Sequence, residues 1–89
     1  MDKIRLLLVD DQVLFVESLQ TVIKTTTDDL EVVGIAADGN TAIKLALEMK
    51  PDIILMDVRM PDLSGVECTR IIKERRLENL LPVSKLHVF

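Results

Sequence analysis

Near its N-terminus the chain has an apolar segment that ends in two acids. Residues 4–9 are apolar apart from Arg5, and Asp10 and Asp11 follow at once. A near-continuous apolar run of this length is typical of a strand that is buried on both faces of a parallel sheet. We therefore predict a first strand whose carboxyl end carries two carboxylates.

Three later segments also have the composition of strands. Residues 31–37 are rich in β-branched side chains and end at an Asp-Gly turn signal. Residues 53–56 are wholly apolar and end at Asp57, and residues 83–89 contain a further apolar cluster. The pattern predicts four strands, with the third in the interior of the sheet.

The segments between the strands have apolar residues at helical spacing. The first predicted helix spans residues 12–24. Its apolar face comprises Val13, Val16, Leu19, Gln20 and Ile23, widened by Leu14, Phe15 and Val22. The second ends before Pro51 and has Asn40 as its expected N-cap. The third begins near Gly65 after an N-cap at Ser64, and its expected inner face includes Val66, Thr69, Ile72 and Arg76 on successive turns, with Ile71 beside them. Alternating strands and helices of this kind predict an α/β fold with right-handed crossovers and a parallel sheet.

Composition excludes several classes of protein. Of the 89 residues, 48% are hydrophobic, but no apolar run approaches the roughly 18 residues that a membrane span requires. Cys68 is the only cysteine, so no internal disulfide is possible, and we expect a buried thiol and a cytoplasmic location. The net charge of −4 argues against nucleic-acid binding by these residues. With three glycines in all, the chain has no glycine-rich phosphate loop.

The acids after the first and third strands are the candidate chemistry. In an open α/β sheet, sites form beyond the carboxyl ends of the strands, where the strand order changes direction. If these two strands are neighbours, Asp10, Asp11 and Asp57 converge there. Three clustered carboxylates repel one another unless a cation offsets their charge, and Mg²⁺ prefers such oxygen ligands together with phosphate oxygens. Asp57, alone at its strand end, is the better candidate nucleophile, and the paired acids are better suited to binding metal.

These motifs resemble those of the response-regulator receiver family, and most closely its NarL/FixJ-like branch, whose members usually carry a LuxR-type output domain. The resemblance rests on L-V-D-D at residues 8–11 and M-D-V-R-M-P-D-L-S-G at residues 56–65, and it covers about residues 3–75. It implies a flavodoxin-like (CheY-like) doubly wound parallel sheet. It also implies phosphotransfer from a sensor histidine kinase that depends on Mg²⁺, with the chain acting as a phosphoacceptor in signalling to transcription and not as an enzyme.

The family's site residues transfer to matching positions. Asp57 is then the phosphoacceptor, Asp10 and Asp11 are the acidic pair that binds Mg²⁺, and the main-chain carbonyl of Arg59 is a further metal ligand. Pro61 and Gly65 match the family's loop positions.

The family's C-terminal features are not matched. Its strand-ending hydroxyl residue, its fifth strand ending in lysine and its last helices have no counterpart, and Ser84 and Lys85 precede the apolar segment instead of following it. We therefore expect residues 1–89 to form a single truncated receiver domain with an atypical segment at residues 76–89. Such a domain leaves a sheet edge and the first helix uncovered, which predicts a homodimer that covers these surfaces, with exchange of the C-terminal segment as one way to form it.

Three alternatives stay open from the sequence alone. The Asp10-Asp11 pair is also typical of residues that cap a following helix. A haloacid-dehalogenase-type phosphohydrolase also uses an aspartate after a buried strand, but it has a second aspartate two residues later, where this chain has Arg59. A receiver scaffold that has lost its switch would act only in dimerisation or assembly. His87, a lone histidine in a β-like segment, is assigned no role.

Overall fold

The computed structural model describes residues 3–57, 59–60, 62–78 and 87–88. Within them strands and helices alternate as predicted. The elements in chain order are β1 (Ile4–Val9), α1 (Val13–Thr26), β2 (Leu30–Ala36), α2 (Gly39–Met49), β3 (Ile53–Met56), α3 (Gly65–Glu78) and β4 (His87–Val88). The predicted bounds of the first and third strands are confirmed, and α1 ends two residues later than predicted.

The four strands form one parallel sheet in the order β2-β1-β3-β4. Each strand pairs in parallel with its neighbours, and the register aligns Val9 at the end of β1 with Met56 at the end of β3. The third strand is interior, as predicted. This order is that of a flavodoxin-like, doubly wound α/β sheet, in which the direction of strand addition changes between β1 and β3. The predicted fold class is confirmed, and the described residues supply four strands of it.

Two hydrophobic clusters lie on opposite faces of the sheet. Side chains alternate along a strand, so Leu7 and Val9 of β1 face one side and Leu6 and Leu8 the other. The first cluster packs against α2 and α3 through Ala42, Ala46, Cys68 and Ile72, all fully buried. The second packs against α1 through Val16 and Ile23. Burial on both faces explains why β1 is a continuous apolar run.

The α1 side of the sheet has the larger exposed apolar surface among the described residues. Val13, Leu14, Phe15 and Val22 of α1 are 66%, 79%, 53% and 56% exposed. Val13 was predicted to face inward with Val16 and Ile23, and Leu14, Phe15 and Val22 were predicted to widen that face; for these four residues the assignment was wrong. Val13 is the first residue of α1 and precedes Val16, the first buried residue of the helix.

The ends of α2 and α3 test the predicted N-caps. Asp38, not Asn40, caps α2, because its carboxylate accepts a hydrogen bond from the Thr41 main chain at 2.7 Å. Ser64 caps α3 as predicted and accepts from the Glu67 main chain at 3.1 Å.

The inner face of α3 differs from the prediction at its first turn. Cys68 and Ile72 are fully buried, whereas Val66 is 72% exposed. Val66 precedes Cys68 by two residues, which places it on the opposite side of the helix. Burial of Cys68 confirms the expected buried thiol.

The remaining predictions concern the C-terminus and membrane spans. Of the predicted fourth strand at residues 83–89, the structure describes His87–Val88, which pair with Ile53 and Ile54, and Ser84 and Lys85 lie outside the described residues. None of the helices within the described ranges has the length and apolarity needed to cross a membrane.

Candidate functional site

The three predicted acids lie together at the carboxyl ends of β1 and β3. Asp10 and Asp11 directly follow β1, and Asp57 directly follows β3. The main chain extends the sheet to this point: the Asp57 N–H donates to the Val9 carbonyl at 2.9 Å, and the Asp10 N–H donates to the Ala36 carbonyl at 3.0 Å. The sheet therefore fixes the main chain at both strand ends that bear the site.

Their carboxylates converge as the sequence predicted. One carboxylate oxygen from each of Asp10, Asp11 and Asp57 lies within 4.8 Å of the other two. Asp10 and Asp57 are half-buried and Asp11 is exposed. Three oxygens at this spacing are close enough to contact one cation, and their position at the rim leaves the cluster open to an incoming group.

Two short-range hydrogen bonds orient the half-buried carboxylates. Asp10 Oδ1 accepts from the main chain of Gln12 at 2.9 Å, and Asp57 Oδ1 accepts from the main chain of Arg59 at 3.1 Å. The N-cap residue of α1 is Gln12, and it has no capping side-chain hydrogen bond. The helix-capping interpretation of the acidic pair is therefore not supported, because neither acid stands at the cap position.

The loop after β3 carries the other positions that the family resemblance predicts. The Arg59 main chain is close to the site through its N–H, which donates to Asp57, and metal ligation by its carbonyl stays a prediction. Gly65 begins α3 and is buried, whereas Pro61 lies outside the described residues.

An apolar cavity of about 300 Å³ adjoins the cluster on the α1 side of the sheet. Asp10 and Asp57 line it together with apolar residues of β1, α1 and β3: Leu8, Val9, Phe15, Val16, Leu19, Leu55 and Met56. Two of the three carboxylates thus have apolar groups on one side and solvent on the other.

Asp62 is a structured residue of this loop to which sequence reasoning gave no role. Its carboxylate accepts hydrogen bonds from the main chains of Gly39, Asn40 and Leu63 at 2.7, 2.9 and 2.8 Å, and from Asn40 Nδ2 at 2.7 Å. The Gly39 and Asn40 N–H groups lower the pKa of Asp62 below its ordinary value of 3.8, because they stabilise the charged form. Gly39 and Asn40 lie 23 and 22 positions before Asp62, so these contacts leave no local signal in the sequence.

The loop approaches α2 closely at Gly39. A Cβ atom added there would lie 2.8 Å from the Leu63 Cβ and 3.2 Å from an Asp62 carboxylate oxygen. The first is shorter than side chains tolerate, so the contact between this loop and the start of α2 requires glycine.

Comparison with known proteins agrees with this geometry. The family model of the response regulator receiver domain matches residues 6–85. An uncharacterized transcriptional regulatory protein of Bacillus subtilis (strain 168), YxjL, is 51% identical over 71 residues, which are 80% of this chain and 32% of that protein. A protein-glutamate methylesterase/protein-glutamine glutaminase of Thermotoga maritima is 40% identical over 83 residues, 93% of this chain and 24% of that protein. The chain thus spans a third or less of these relatives.

A solved structure supports the same grouping. The signal receiver domain of the putative response regulator NarL from Mycobacterium tuberculosis superimposes with a TM-score of 0.78 at 30% identity, over 99% of this chain and 64% of that one. The family match covers most of the chain, and the order of the strands and the position of the acids are those expected from the sequence. The chain therefore belongs to the response regulator receiver domain family.

Proposed function

We propose that this chain is the phosphoacceptor of a two-component system: Asp57 accepts a phosphoryl group from a sensor histidine kinase, with Mg²⁺ held by Asp10, Asp11, Asp57 and the Arg59 carbonyl. The observation that carries the proposal is the convergence of three carboxylates within 4.8 Å at the carboxyl ends of β1 and β3. Membership of the receiver family supports it.

The donor set fits Mg²⁺. Carboxylate oxygens are the ligands that this hard cation prefers, and all three members of the cluster are aspartates. When bound, the ion supplies charge neutralisation for the phosphoryl oxygens that approach the acids. Asp11 is exposed, and its carboxylate is accessible to an ion and its waters.

The chain's own contribution is to present a nucleophile. Asp57 Oδ1 is held by the Arg59 N–H, which leaves Oδ2 as the attacking oxygen. In the transfer, this oxygen forms a bond to phosphorus as the bond between phosphorus and the donor's imidazole nitrogen breaks, and that nitrogen keeps the electron pair and takes a proton. The main-chain bond from Asp57 to Val9 fixes the acceptor during the reaction.

We expect no enzymatic activity from these residues. The Thermotoga maritima relative is named as a methylesterase, but this chain covers 24% of it. A role in transcription regulation would be exercised through a longer protein of the kind represented by the Bacillus subtilis relative, and a cytoplasmic location is expected for such a signalling module.

The experiment is the intact mass after incubation with a small-molecule phosphodonor, with and without Mg²⁺. We expect one phosphoryl adduct on the parent chain that needs Mg²⁺, and none on Asp57→Asn. Asp28→Asn is the matched control, because Asp28 is an exposed loop carboxylate before β2, at the opposite end of the strands. An adduct on Asp57→Asn, or none on the parent, would refute the proposal.

Homodimerisation remains a prediction. The exposed apolar side chains of α1 supply a surface that association would cover, and the segment expected to exchange includes residues outside the described ranges. A monomeric mass by light scattering at micromolar concentration would contradict it. The alternative of a pure assembly domain is not favoured, because the acidic cluster keeps the arrangement that phosphoacceptance requires.

A further inference from the structure

We infer that Asp62 is a positioning residue of the phosphoacceptor site, which holds the loop after β3 in place by linking it to the N-terminus of α2. This inference rests on the proposed role of Asp57. Its basis is the set of hydrogen bonds from Gly39, Asn40 and Leu63 that converge on one carboxylate.

The loop is held at both ends. At its start, the Asp57 N–H is bonded to Val9 in β1, and the Arg59 N–H is bonded to Asp57 Oδ1. Five residues after Asp57, Asp62 attaches the loop to a different element, the first turn of α2. Arg59, the proposed source of a carbonyl ligand, lies between the two attachments. Freeing one end widens the range of positions open to that carbonyl and to Asp57.

Asp62 is not required simply to end a helix. Asp38, which directly precedes α2, already caps this helix by accepting from the Thr41 N–H, and it does so without involving the loop after β3. The Gly39 and Asn40 N–H groups, at the first turn, bind a carboxylate supplied from more than 20 residues away. The N-terminus of a helix favours a nearby negative charge from any residue. Because the carboxylate here comes from Asp62, the same hydrogen bonds also fix the position of the loop after β3.

Gly39 is an independent observation of the same link. Its backbone has no positive φ, so the helix itself accepts alanine there, and alanine is the better helix former. The obstacle is the loop, since a Cβ would lie 2.8 Å from the Leu63 Cβ. Gly39→Ala therefore displaces the loop from α2 without changing any charge.

The test compares Asp62→Ala with Asp38→Ala, since each removes one carboxylate from the same end of α2. For both variants and the parent, we would measure the Mg²⁺ dissociation constant by calorimetry, the rate of phosphoryl adduct formation from a small-molecule donor, and the urea midpoint. Both variants should lower the midpoint. Only Asp62→Ala should weaken Mg²⁺ binding, by about tenfold as for other residues that orient metal ligands, and slow adduct formation.

Two further variants sharpen the result. Gly39→Ala should reproduce the Mg²⁺ and rate defects of Asp62→Ala with the net charge unchanged. Asp62→Asn keeps one acceptor oxygen and should fall between Asp62→Ala and the parent.

The outcomes separate the two claims. Parent-like Mg²⁺ affinity and adduct rate in folded Asp62→Ala, or equal defects in Asp38→Ala, would overturn the inference and leave the proposed function intact. A parent chain that binds no Mg²⁺ and forms no adduct would refute the proposed function, and the inference would fall with it.

Discussion

Removing one carboxylate from the acidic cluster should stabilise the fold without metal and destabilise it, relative to the parent, with metal. Asp57→Asn keeps the shape of the side chain and the oxygen that accepts from the Arg59 N–H, so the main change is the loss of one negative charge. The variant therefore isolates the repulsion within the cluster.

The magnitude follows from the spacing of the oxygens. Two unit charges 4.8 Å apart repel by about 0.9 kcal/mol in water, and screening at physiological salt reduces this to about 0.5 kcal/mol. Asp57 faces two such carboxylates, so Asp57→Asn should raise the free energy of unfolding by about 1 kcal/mol in the presence of a chelator. Half-burial of Asp10 and Asp57 makes this a lower bound.

Magnesium should reverse the order of stability. A ligand at a hundred times its dissociation constant stabilises the folded state by about 2.7 kcal/mol, which exceeds the repulsion of about 1 kcal/mol. The parent chain has three carboxylates for the ion, and Asp57→Asn has two, so the parent should gain more and become the more stable protein. The reversal distinguishes a metal site from a cluster of acids that merely repel one another.

The assay is urea unfolding followed by circular dichroism, because the chain has no tryptophan or tyrosine to report by fluorescence. Asp28→Asn makes the same change to the net charge of −4 at an exposed position and corrects for the general effect of charge. If Asp57→Asn and Asp28→Asn have the same unfolding free energy in chelator, or if Mg²⁺ stabilises parent and Asp57→Asn equally, the reasoning is refuted.

Three further predictions concern the core, the loop and the thiol. Ile54→Ala removes a fully buried side chain of β3 and should lower the free energy of unfolding by about 2–5 kcal/mol in urea titrations, with Val22→Ala, at an exposed site, as the small-effect control. Because the pKa of Asp62 is lowered in the folded state, its charged form stabilises the fold above pH 3.8, and this contribution is lost as the pH falls through the folded-state pKa. The difference in unfolding free energy between parent and Asp62→Asn should therefore shrink in that pH range. A difference that stays constant down to acid unfolding would contradict this. Burial raises the pKa of Cys68 to about 11, so a thiol reagent at neutral pH should label it only as fast as the protein opens, and rapid labelling of the folded chain would contradict its burial.

The sequence predicted the parts of the fold that depend on local pattern. The continuous apolar runs at residues 4–9 and 53–56 identify strands whose two faces are both covered, and the acids that follow them converge because parallel strands end at the same edge. Ser64 was also identified correctly, since its position before a helical pattern is a local signal.

The errors have physical causes. Asn40 and Asp38 are both good N-cap residues, and only the point at which the main chain becomes helical distinguishes them. The burial of Val13 and Val66 depends on which turns of each helix overlap a neighbour, and periodicity does not contain that information. The role of Asp62 was missed because it depends on a contact made only when the chain is folded.

The short third strand sets a limit on insertions and deletions. Its residues alternate between the two hydrophobic clusters, with Ile54 and Met56 on the α2 and α3 side and Ile53 and Leu55 on the α1 side. A deletion or insertion of one residue in β3 would exchange these faces and turn Asp57, the proposed acceptor, away from Asp10. A change of two residues would restore the faces but would move Asp57 along β1 by about 7 Å, beyond the reach of the acidic pair. Length variation in such a protein should therefore be confined to its loops, whereas the spacing from the start of β3 to Asp57 stays fixed.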